Sequence, residues 1–96
     1  MSYFLVTYDL VHHASESDYE SLLDELRRLG AQRAQDSVWL VDWDGTAAEL
    51  FDHLQPHLHA KDDRLLVLQY FKNSTWKSDS FKGTNAWLTT RCGSSS

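Results

Sequence analysis

A single cysteine, Cys92, excludes an internal disulfide and leaves no cysteine-built metal cluster for this chain to form. Basic side chains are also in short supply. Nine Lys and Arg stand against 14 Asp and Glu, and the formal charge of -5 works against indiscriminate binding to nucleic acid. No apolar run approaches the ~20 residues of a membrane span. The N-terminus lacks the basic stretch and small-residue cleavage site of a secretory signal, so the expected location is cytoplasmic. What is present is ordinary for a soluble globular protein: 96 residues, 42% hydrophobic and 24% charged. That length predicts one domain over residues 1–90 with a disordered C-terminal tail over 91–96 in which Cys92 lies.

Tyr3 to Asp9 carries apolar, β-favouring residues on both parities, the pattern of a strand covered on two faces, and delivers the Asp9 carboxylate at its end. Val11 to Ser17 is a polar loop with His12 and His13. Ser17-Asp18-Tyr19-Glu20 is a capping box, and Tyr19, Leu22, Leu23, Leu26 and Leu29 follow at helical spacing, predicting a helix over 18–29 that stops at Gly30. Ala31 to Asp44 is a second β region, with Asp36-Ser37 either a two-residue hairpin turn or a bulge. A second capping box, Thr46 to Glu49, opens a helix that Pro56 ends or kinks near residues 53–55. Arg64 to Phe71 is a third long strand, residues 72–83 form a polar loop, and 84–90 is a short element of open type.

This order predicts an α+β, ferredoxin-like βαββαβ sandwich: an antiparallel sheet with two helices on one face, plus a short C-terminal element. Two helices leave the second apolar face uncovered. At roughly 25 cal/mol per Å² of apolar surface, wetting that face forfeits several kcal/mol, comparable to the stability of a small domain. The expected remedy is a homodimer packed sheet to sheet, with Trp39, Trp43 and Tyr70 at the interface because aromatic residues are enriched there. Trp39, Val41 and Trp43 share one strand face, which also suits base stacking.

The strand ending in Tyr8-Asp9-Leu10, the capped helix with its Gly30 exit, the run Gln35-Asp36-Ser37-Val38-Trp39, the second capped helix and Asp63-Arg64-Leu65-Leu66-Val67 together resemble the CRISPR-associated Cas family two proteins, and more closely their SinR-like relatives. The likeness covers about residues 3–71 and rests on order and spacing. It implies a ferredoxin-like fold, a symmetric dimer, and in some members metal-dependent cleavage of RNA or DNA, with a first-strand aspartate from each subunit facing across the dimer cleft. Asp9 matches that position. In CRISPR systems such a protein also serves as the structural partner of an integrase.

Chemically, two symmetry-related carboxylates suit one Mg²⁺ or Mn²⁺, since these ions prefer hard oxygen ligands, and a bound ion activates water toward a phosphodiester. Asp9 is therefore the candidate catalytic residue. His12 or His13 would add an imidazole ligand or a general base. Arg27, Arg28 and Arg33 are the candidate phosphate contacts. Asp42 and Asp44, acids beside the Gly45 turn, are further candidates to join a metal site, and His53 and His57 stand four apart with Pro56 between them. A non-catalytic dimeric scaffold or regulator of the same fold accounts for the same residues, with Asp9 capping a loop. A VapD-like ribonuclease toxin is a third class.

Overall fold

A computed structural model describes residues 1–10, 19–58 and 62–95. Strand β1 (Ser2–Asp9) lies inside the sheet. On one side it pairs antiparallel with β3 (Val38–Trp43), from Ser2 opposite Trp43 to Thr7 opposite Val38. On the other it pairs antiparallel with β4 (Arg64–Tyr70), from Tyr3 opposite Tyr70 to Asp9 opposite Arg64. Strand β2 (Gln32–Gln35) pairs with β3 at the far edge, which makes the order β2-β3-β1-β4. The hairpin reading of residues 36–37 is realised, and a bulge falls two residues earlier. Asp36-Ser37 is the turn, and the register shifts between Arg33 and Gln35, leaving Ala34 as the extra residue.

Local signals set the helix ends. Helix α1 spans Glu20–Arg28, and the Ser17 to Glu20 box expected to start it lies outside the described residues. Its exit is a Schellman motif: the Gly30 amide donates to the Arg27 carbonyl at 2.9 Å and the Ala31 amide to the Leu26 carbonyl at 3.1 Å. That geometry puts Gly30 at φ +74°, where a side chain is strained. Helix α2 spans Ala47–Leu54 behind the expected capping box, Thr46 Oγ1 accepting from the Glu49 amide while Glu49 Oε1 accepts from the Thr46 amide. It gives way to a 3-10 turn, Gln55–His57, at Pro56. Helix α3 spans Thr84–Cys92.

Alternation along β1 separates two cores. Phe4, Val6 and Tyr8 point to one face, where Trp39 and Val41 of β3 join them beneath Leu22, Leu23 and Leu26 of α1 and Leu50 and Leu54 of α2. Leu5 points to the other face, where Ala34 and Leu40 meet Leu88 of α3, flanked by Val38, Tyr70 and Trp76.

Two expectations are corrected by this second core. The second face is covered in part within the chain, by α3 and by the 71–83 segment, whose Phe81 amide donates to the Ala34 carbonyl at 2.9 Å. Residues 91 and 92 are not a disordered tail: Arg91 and Cys92 belong to α3, and Cys92 packs against the second core. The physical reason is the pair Trp76 and Trp87, large apolar surfaces in otherwise polar sequence that dock on the nearest uncovered apolar face.

Candidate functional site on the second sheet face

The second face has two halves. Toward the start of β1, α3 is held down by polar bonds that the aromatic residues orient. Arg91 grips Asp42 of β3 with two parallel bonds, Nε to Oδ1 at 2.8 Å and Nη2 to Oδ2 at 2.6 Å. Its guanidinium stacks on Trp87, 3.4 Å from the ring centre. Trp87 Nε1 donates to the Tyr70 hydroxyl at 3.2 Å, and Trp76 Nε1 to the Gly93 carbonyl at 2.9 Å. Burial, against the smaller opposing effect of the Trp87 bond, pushes the Tyr70 phenol up to about 12. Burial likewise raises the Cys92 thiol. Asp42, a candidate metal ligand in the sequence, is thus engaged in an ion pair.

Toward the end of β1 the face is open. Leu66 and Leu68 on edge strand β4 are 55% and 56% exposed. Asp9 lies on the same face by strand alternation, exposed at the rim and opposite Arg64 in register. Among the described residues, no three His, Cys, Asp or Glu side chains form a group able to hold a metal ion. One described carboxylate from one chain falls short of the several oxygen ligands that Mg²⁺ or Mn²⁺ takes, so a single copy does not fit the ion the resemblance implies. His12 and His13 lie outside the described residues.

The other candidates are dispersed. Arg27 bonds Asp24 at 3.1 Å, and Arg28 grips Glu25 through Nε at 2.7 Å, so both α1 arginines face carboxylates one turn back. Arg33 donates through Nη2 to the Asp36 carbonyl at 2.6 Å and lies 5.4 Å from the centre of the Trp39 ring. Each of the three expected phosphate contacts therefore has a partner inside the chain. Trp39 and Trp43, expected on the uncovered sheet face, lie on the helix-covered one: Trp39 is 2% exposed, its Nε1 donating to the Tyr8 hydroxyl at 3.0 Å, and Trp43 packs against the same core. Residue parity put these tryptophans together correctly, and the helices took their side. Tyr70 does lie on the second face, half-buried under Trp87.

His53 and His57 part company. The His53 ring meets Glu25 of α1, and His57 Nδ1 meets Ser21 Oγ at 2.6 Å. Arg28 first, and His53 second, hold the Glu25 carboxyl down at about 2 against an ordinary 4.5. Sequence spacing exposes the Glu25–Arg28 pair, three residues apart on a helix, whereas Glu25 and His53 meet only through the packing of α1 on α2. Missed in the sequence were Arg91 and the two tryptophans of the C-terminal region, whose signal was bulky aromatic residues in a segment too polar to fold alone. No protein-family model matches the chain. No helix among the described residues is long and apolar enough to cross a membrane.

Proposed function

We propose that this chain is a ferredoxin-like, homodimeric interaction protein of the cytoplasm, similar in kind to the SinR-like and Cas family two proteins, that works through the open half of its second sheet face. The observation carrying this reading is the half-exposed Leu66 and Leu68 pair on an edge strand, apolar surface that neither α3 nor the 71–83 segment covers. The β2-β3-β1-β4 order with α1 and α2 on one face supports the ferredoxin-like assignment. The partnered state of Arg27, Arg28 and Arg33 favours a scaffold over a nucleic-acid binder. The test is light scattering on the wild type and on Leu66→Lys/Leu68→Lys. Both positions are exposed, so the fold survives; a dimer that becomes a monomer supports the reading, and a wild-type monomer at high protein concentration overturns it.

A second reading, metal-dependent cleavage of RNA or DNA centred on Asp9, draws support from the place of Asp9 on that same open half, where a two-fold partner would bring a second carboxylate. An integrase partner belongs to this reading if the chain serves CRISPR adaptation. Labelled RNA and DNA are incubated with the protein, with Mg²⁺, Mn²⁺ or chelator, beside Asp9→Asn. Absent cleavage, or cleavage that Asp9→Asn leaves intact, removes this reading and leaves the scaffold standing.

A further inference from the structure

Between the sheet, the 74–80 segment and α3 lies an open pocket of ≈ 460 Å³, within the range of roughly 300–1,000 Å³ typical of small-molecule sites. Its floor and back are apolar: Leu5, Val38 and Leu40 of the sheet, Leu88 of α3 and the Trp76 ring. Its charge is unlike that of the rest of the molecule. The chain carries 14 acidic residues, yet among the described residues no acid lines the pocket, and the one charged side chain that does is Lys77 on the exposed rim. Rim polarity is otherwise largely self-satisfied, Ser78 Oγ bonding Ser80 Oγ at 2.9 Å and Asn85 Oδ1 at 2.7 Å. One wall group is not satisfied. Thr84 is 1% exposed, and its hydroxyl has no hydrogen-bond partner among the described residues, a state that costs free energy unless something supplies one.

We infer that this pocket binds a small amphipathic carboxylate, a single-chain or aromatic acid whose apolar body lies on Leu5, Leu40 and Leu88 and whose anionic head meets Lys77. An apolar body answers to the floor, and a negative head to a site whose described lining holds one cation and no carboxylates. A cationic amphiphile finds no counter-charge there. A neutral one leaves Lys77 without a gain. The pocket shares Leu68 with the proposed dimer surface, and Lys77→Glu, which leaves Leu66 and Leu68 untouched, separates the two readings.

The test uses the full chain and decanoate as the probe, with decanol and decyltrimethylammonium as head-group controls, read by tryptophan fluorescence and calorimetry. A one-to-one saturable isotherm for decanoate is expected, with both controls at least about fivefold weaker, the scale of one rim charge. Lys77→Glu should weaken decanoate by about five- to tenfold. Val38→Phe, which fills the floor with a strand-compatible side chain, should abolish binding while circular dichroism shows an unaltered fold. Should Val38→Phe not fold, Lys77→Glu on the exposed rim decides alone. No saturation up to roughly 1 mM, equal binding of all three head groups, or a Lys77→Glu protein that binds decanoate as the wild type does overturns the inference.

Discussion

The Asp42–Arg91 pair clasps α3 to the sheet, and a double-mutant cycle measures how strongly. The two side chains are 25% and 18% exposed and joined by two charge-assisted bonds, so the pair sits between an exposed ion pair, worth up to about 1 kcal/mol, and a fully buried one, whose breakage costs about 3–5. Asp42→Ala should cost about 2 kcal/mol. Arg91→Ala should cost about 0.5–1 kcal/mol more, because it also removes the guanidinium from the Trp87 face. The coupling energy between the two positions should be about 1–1.5 kcal/mol, weakening at high salt because the pair is partly exposed. For a domain of this size, each kcal/mol lowers the melting temperature by roughly 4–8 °C, so Arg91→Ala should melt at least 10 °C below the wild type, as ~2.5 kcal/mol implies. Urea unfolding of the four proteins, followed by tryptophan fluorescence, measures the cycle. Additivity to within about 0.3 kcal/mol would refute the clasp and leave α3 held by Leu88 and Trp87 alone.

Three further outcomes follow from the same geometry. Glu25 titrates near 2 in the folded chain against 4.5 ordinarily, so its pairing stabilises the protein fully above 4.5 and is lost as pH falls toward 2. Glu25→Gln should lose about 1 kcal/mol at neutral pH, discounted for the solvent around Arg28, and show a flatter acid limb in urea titrations. Tyr70, raised to about 12, favours folding below its ordinary 10 and loses that contribution between 10 and 12, so ultraviolet titration of native protein, beside a Tyr70→Phe variant, should show Tyr70 ionising late. Gly30→Ala at φ +74°, where an added Cβ meets nothing within 4 Å, should cost about 1 kcal/mol in thermal unfolding from backbone strain alone.

Much of this was legible locally. The Thr46 to Glu49 box, the Gly30 exit and the Pro56 stop are written in neighbouring residues, and each appears where its chemistry requires. Asp9 at the rim was legible as well, because it ends an apolar run. Other parts of the candidate site were not. Leu88, one helical turn before Cys92, is the only described buried member of its cluster nearby in sequence; the other two, Ala34 and Leu40, lie more than 50 positions away. Asp42 and Arg91 are 49 positions apart and meet only because β3 and α3 share a face.

The sequence by itself determined the exit of α1, the start and stop of α2, and which residues share a strand face, because capping, proline geometry and the two-residue strand period act over a few positions. It determined too that both sheet faces would need cover. Only the tertiary structure decided what covers each. The period that groups Trp39 with Trp43 is blind to direction: turning the strand over exchanges helix-covered and open faces without altering the pattern. Long-range packing broke that symmetry, sending the tryptophans of β3 beneath α1 and α2, drawing α3 over Leu40, and leaving Asp9, Leu66 and Leu68 on the half that stays open.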